Sequence, residues 1–169
     1  RLRSLLEAAD RSNYDLVSIN HVNEDPVMFT KEMARDGYTI LVPQMAPIHF
    51  EIMQEALRAV GLNVEILEST NEKVVNEGLK YVNNDACYPS MFVVGQFIDA
   101  IKSGKYNTDK IALLMAQTGG ACRASNYVGF IRKAISEAGY GHIPVIGLSF
   151  QGIEKHSGIF ADTHLVKLI

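Results

Sequence analysis

Cysteine is scarce: the 169-residue sequence has two, Cys87 and Cys122, separated by 35 positions. That excludes a disulfide framework, and the close C-x-x-C pairs that announce zinc sites or ferredoxin-type clusters are missing. The pair fits a reducing, cytoplasmic setting. No apolar run approaches the ~20 residues that a membrane span needs, and the start does not read as a signal peptide, so no membrane partner is expected. Basic blocks are also absent and the formal net charge is −3, which argues against a nucleic-acid partner. No lysine follows the glycine pair Gly119-Gly120 as a Walker loop requires, and the GxGxxG fingerprint is missing. Neither Ser125 nor Ser149 stands in a nucleophile-elbow context. There is no internal repeat and no low-complexity stretch.

What remains is an ordinary globular composition, 47% hydrophobic and 21% charged, long enough for one domain with a sizeable core. The sequence starts at Arg1 rather than Met and stops inside an apolar run, Leu165 to Ile169, so we expect a piece cut from a longer chain. Residues 1–38 read as an N-terminal arm or the start of the domain. Leu2, Leu5, Leu6 and Ala9 give a short helical stripe there, Asp15 to Asn20 reads as a strand, and His21 as a surface or capping residue. Met28 to Asp36 reads as a short helix closed by Gly37.

From Thr39 the pattern sharpens. Thr39 to Val42 forms a strand closed by Pro43, and Ile48, Ile52, Met53, Ala56, Leu57 and Val60 give the next helix one wide apolar face. Asn63 to Leu67 is a second strand, which completes a βαβ unit. Glu72 to Val82 and a segment with Met91, Phe92, Val94, Phe97, Ile98 and Ile101 are two helices in succession. Strands follow at Ile111 to Ala116 and Pro144 to Ser149, with a helix over Ala124 to Ala138 between them. The expected fold is therefore α/β: a doubly wound, mainly parallel sheet of at least four strands, Rossmann- or flavodoxin-like, over residues 39–151. We expect residues 152–169 to be a C-terminal segment truncated from a longer chain.

Chemistry in such a fold gathers at the carboxyl ends of the strands. Gln117 to Arg123 is a polar turn between a strand and a helix, and its Gly119-Gly120 pair permits close backbone approach. Cys122 and Arg123 sit at the start of that helix, where a thiolate is favoured. Cys87 lies beside Pro89 at another helix start. If both turns share one edge of the sheet, the two sulfurs approach each other. Two thiolates half fill a four-thiolate site. Other readings are a reversible disulfide, or Cys122 as a small buried hydrophobe. Gly119, Gly120 and Arg123 are candidates for an anion site, and His49 stands near a strand end, where a structural role competes with ligand contact.

Three blocks then carry a resemblance: Tyr38 to Phe50, Asn84 to Pro89, and Gln117 to Tyr127, with Gln117-Thr118-Gly119-Gly120-Ala121-Cys122-Arg123 the most distinctive. Together they resemble the large bacterial activase-related proteins, kin to 2-hydroxyacyl-CoA dehydratases and benzoyl-CoA reductase subunits. The resemblance spans about Tyr38 to Gln151. It implies a dehydratase-like α/β lobe whose parent carries an ATP-hydrolysing activator domain as partner. It also implies a [4Fe-4S] cluster that receives a low-potential electron for a CoA thioester substrate, in anaerobic metabolism. Carried over, Cys87 and Cys122 become cluster ligands, and Gly119, Gly120 and Arg123 would meet an anion or thioester phosphate. The dehydratase subunits use three cysteines, so a further ligand is expected outside this sequence. The chain alone is expected to be inactive, one lobe of a cluster-binding module. The alternative is a non-catalytic α/β binding or assembly module without a cluster, marked by an exposed apolar patch where a partner docks.

Overall fold

The computed structural model describes residues 26–83, 86–117 and 122–148. Four parallel strands, β1 (Thr39–Pro43), β2 (Asn63–Leu67), β3 (Ile111–Ala116) and β4 (Val145–Leu148), lie in the order β2-β1-β3-β4. The pairing sets Ile40 beside Val64 and Ala112, and Leu113 beside Val145. The helices are α1 (Lys31–Arg35), α2 (Pro47–Ala59), α3 (Glu72–Leu79), α4 (Tyr88–Lys102) and α5 (Tyr127–Glu137).

Strand residues alternate between two cores, as the period of two demands. Ile40, Val42, Val64, Ala112, Leu114 and Ile146 join Phe29 and Leu57 on one face, under α1 and α2. Leu41, Leu67, Leu113, Met115 and Val145 join α4 and α5 on the other. With both faces covered, strands read as unbroken apolar runs, which is why β3 was legible as Ile-Ala-Leu-Leu-Met-Ala. The doubly wound α/β expectation holds, and the order reverses direction between β1 and β3, the usual ligand crevice of such sheets. Phe29 is buried and stacks edge-on to Tyr38, so the segment before β1 belongs to the domain. Both edge strands have a carbonyl engaged by arginine. Val64 O accepts from Arg58 Nε (3.2 Å), Arg58 Nη2 (2.9 Å) and Gln54 Nε2 (3.0 Å), and Val145 O from Arg132 Nη2 (3.2 Å).

α4 is buried almost all round, from Ser90 to Ile101, with only Phe92 partly exposed. α3 lies on it with backbones touching. A Cβ added at Gly78 would sit 1.9 Å from the Met91 carbonyl oxygen, and one at Gly95 would sit 1.9 Å from that of Val74. Only glycine at both positions permits this approach. Gln96, fully buried, ties the strand ends to the same helix. Its Oε1 accepts from Gln44 N–H (3.1 Å), and its Nε2 donates to Ser69 O (2.8 Å) and Leu67 O (3.3 Å).

Three expectations need correction. The apolar face of α2 is only partly a core face: Leu57 is fully buried and Phe50 and Met53 pack half-buried against the core, while Ile48 and Ile52 are 72% and 66% exposed. α3 ends at Leu79 rather than Val82, because Tyr81 and Val82 turn back with their N–H groups on Gly78 O. The helix expected from Ala124 starts as a 3-10 turn, Arg123–Asn126, and becomes α-helical at Tyr127. The readings for the stripe at Leu2 to Ala9, the Asp15–Asn20 strand and His21, and for residues 152–169, fall outside the described residues.

Gly95→Ala should destabilise the fold despite the gain of about 1 kcal/mol that alanine brings to a helix interior. The overlap with a backbone carbonyl costs more, about 3 kcal/mol or beyond. Urea unfolding checks this, and a variant at least as stable as the wild type would refute the backbone contact. Ile52→Lys should stay within about 0.5 kcal/mol of wild type in the same measurement, since that side chain is already solvated.

Candidate functional site

Cys87 is the N-cap of α4, and Cys122 the N-cap of the 3-10 turn before α5. Their backbones match closely, with φ/ψ of −67/145° at Cys87 and −85/142° at Cys122. Each is followed three residues on by a serine that returns to its carbonyl. Ser90 Oγ donates to Cys87 O at 2.6 Å and Ser125 Oγ to Cys122 O at 2.6 Å, and both serine N–H groups reach the same oxygens at 3.0 and 3.1 Å. The chain therefore carries two copies of a C-x-x-S turn, Cys87-Tyr88-Pro89-Ser90 and Cys122-Arg123-Ala124-Ser125. This repeat of four-residue turns was visible in the sequence and is the signal our reading missed. In both copies the serine ties down the backbone carbonyl. In the second, the Cys122 sulfur also accepts weakly from Ala124 N–H at 3.5 Å.

The crossing of α4 beneath α3, and the short path from β3 to α5, bring the two turns to one edge of the sheet. Tyr127 joins them there. Its hydroxyl lies 3.3 Å from Cys87 Sγ, across 40 positions of sequence, and Cys122 also acts on it electrostatically. The Tyr127 ring is only 4% exposed, while Cys87 is half-buried and Cys122 exposed. Neither cysteine is in a disulfide. The Tyr127 hydroxyl and the donors of Ser90 pull the Cys87 thiol below its ordinary pKa, against the opposing effect of burial. Burial, followed by the hydrogen bond with Cys87, pushes the Tyr127 phenol well above its usual range. The contact fits either atom as donor, and once Cys87 loses its proton the sulfur can accept from the phenol.

The Cys87 sulfur reaches Tyr127, the residue that closes the Cys122 turn. The α-helix terminus expected to favour a thiolate at Cys122 is instead the start of a four-residue 3-10 turn, so the macrodipole argument does not extend to that residue. Arg123 is exposed, Gly119 and Gly120 lie outside the described residues, and His49 is exposed on the first turn of α2. Gln117, the residue after β3, donates from Nε2 to Ser125 O at 2.6 Å and so fastens the second turn to the strand end. Among the described residues, no group of three or more histidine, cysteine or acidic side chains could hold a metal ion. Thiols are the soft donors that iron–sulfur clusters use, and two of them would be half of a four-thiolate set.

A separate, open polar cleft of about 630 Å³ lies at the carboxyl ends of β1 and β2, among Gln44, Arg58, Glu65, Ser69, Asp99 and Lys105. Its charges are largely paired: Lys73 with Asp99 at 2.7 Å, Lys105 with Glu65, and Tyr106 O–H donating to Glu65 at 2.6 Å. Gln44 Oε1 is buried with no donor among the described residues. Among those residues, no helix is long and apolar enough to cross a membrane.

Because its pKa is lowered, Cys87 should become reactive at a lower pH than an ordinary thiol. Peptide-resolved alkylation rates from pH 6 to 10 check this. Tyr127→Phe should move the midpoint back upward, and an unshifted wild-type profile would refute the hydrogen-bonded thiolate. The linked stability has the same sign: it is present above the unfolded thiol's pKa and lost as pH falls through the lowered folded value. No protein-family model matches the chain, and neither the curated proteins nor the solved structures contain a match to it.

Proposed function

We propose that this chain is the iron–sulfur-binding lobe of an activase-related protein, within an ATP-driven, low-potential electron-transfer system acting on CoA thioesters in the manner of the 2-hydroxyacyl-CoA dehydratases. The observation that carries the proposal is the convergence of the Cys87 and Cys122 turns on one buried tyrosine. It is in keeping with the ligand role that the resemblance over Tyr38 to Gln151 implies for Cys87 and Cys122. A [4Fe-4S] cluster, when bound, supplies one-electron chemistry to a thioester substrate. The residues of this chain hold and orient the ligands. Ser90 and Ser125 fix the carbonyls of the two cysteines, Gln117 fastens the second turn to β3, and Gln96 locks α4 to the strand ends. The remaining ligands come from outside the described residues, from other domains of the parent chain, or from substrate. Gly119, Gly120 and Arg123 stay proposed for an anion or a thioester phosphate. A cytoplasmic, anaerobic setting follows from the same reading.

A second reading has its own support. Met45, Ile48 and Ile52 are 43%, 72% and 66% exposed along the β1–α2 corner. Such a surface is what a non-catalytic binding or assembly module would present to a partner domain.

Anaerobic reconstitution of the full chain with iron and sulfide separates the two. We expect a cluster signal in absorption and EPR that is lost in Cys87→Ser and in Cys122→Ser. A signal unchanged in both variants, or no signal in wild type, would sink the cluster reading and leave the binding module.

A further inference from the structure

We propose that the polar cleft beside edge strand β2 binds a small linear amine, a di- or polyamine whose ammonium groups are held by Glu51 and Glu68. The cleft shares no residue with the two cysteine turns, so the site stands apart from the cluster reading. Its volume of about 630 Å³ is that of a small-molecule site, and it lies at the carboxyl ends of β1 and β2, where parallel sheets bind ligands. α2 lines it with Glu51, Gln54 and Arg58, and α4, on the other face of the sheet, with Asp99 and Ser103. Edge strand β2 runs between the two helices.

The charge of the ligand follows from which side chains are already engaged. Arg58 has Nε and Nη2 on Val64 O and Nη1 on Glu55 at 2.9 Å. Lys105 is bound to Glu65 and Tyr106, and Asp99 has Lys73 at 2.7 Å. Both bases of the lining are thus occupied. Four acids against those two bases leave the lining with an excess of two negative charges. Glu51 and Glu68 are exposed and have no partner among the described residues. They come from different elements, Glu51 from early in α2 and Glu68 from the residue after β2. Gln44, the residue after β1, points to the same chemistry. It lines the cleft, and its Oε1 is buried with no donor among the described residues. An acceptor left in that state is costly, and water, an ion or a ligand normally meets it. An ammonium group supplies both the missing donor and the missing positive charge. An anion supplies neither.

Isothermal titration calorimetry of the full chain tests this with spermidine, and with octanediol as an uncharged chain of similar length. We expect saturable binding of spermidine and none of octanediol. Glu51→Gln and Glu68→Gln should each weaken binding about tenfold, the loss of one charge-assisted hydrogen bond. Glu137→Gln makes the same charge change on α5, outside the cleft, and should bind as wild type. All three glutamates are exposed, so the fold is not at risk in any variant. Equal weakening by Glu137→Gln would mean diffuse attraction to a negative chain and would overturn the inference. Unchanged binding in both cleft variants, octanediol binding as well as spermidine, or no binding in wild type would overturn it too. Each outcome is read without a bound cluster, so the iron–sulfur reading stands or falls separately.

Discussion

The contact between Gly78 and Gly95 governs where everything else can lie. The chain leaves edge strand β2 and must return to β3 on the far side of β1, and it does so with two helices and no strand between them. Burying both requires one to lie between the sheet and the other. Two glycines let the helix backbones approach closely enough for carbonyl oxygens to fill the space of the missing side chains. The inner helix is thereby sealed from Ser90 to Ile101, and its N-terminus is held at the carboxyl edge of the sheet. Cys87 has its position because α3 can press on α4.

That placement gives the thiol pair its character. Two turns of the same construction, each a cysteine closed by a serine three residues later, meet from different crossovers. The tyrosine between them is neither exposed nor charged; it offers a hydroxyl from inside the core. An arrangement of this kind holds sulfur chemistry at the boundary between a dry interior and an open edge, with one thiol half-buried and one exposed. The polar cleft near β2 contrasts with it, since its acids and bases are mostly satisfied by each other.

The strands were legible because a parallel sheet covered on both faces writes itself as short apolar runs between glycine and proline. The sheet order was not, because it depends on which side of β1 the double helix crosses, and no local pattern records that choice. Periodicity misled at α2. Ile48 and Ile52 have the spacing of a buried stripe, yet it is Phe50, Met53 and Leu57 that pack on the core, and a period reports amphipathicity rather than contact. The cysteines were picked out by their turns, and the structure brings those turns together at Tyr127. Tyr127 fell within the helix expected over Ala124 to Ala138, which placed its backbone and was silent about its hydroxyl, whose partner is 40 positions away. The matched serines, by contrast, were within reach of the sequence, since the two C-x-x-S turns need only be compared with each other.

The arginines at the two outer strands have a consequence of their own. A parallel sheet of four strands ends in two rows of backbone groups that could template a fifth strand from another molecule. At β2 a guanidinium and an amide converge on Val64 O, and at β4 another guanidinium takes Val145 O. An incoming strand would first have to displace those charged donors and leave them unsatisfied. Among the described residues, each outer strand thus has one carbonyl already held by an arginine, which an added strand would have to displace.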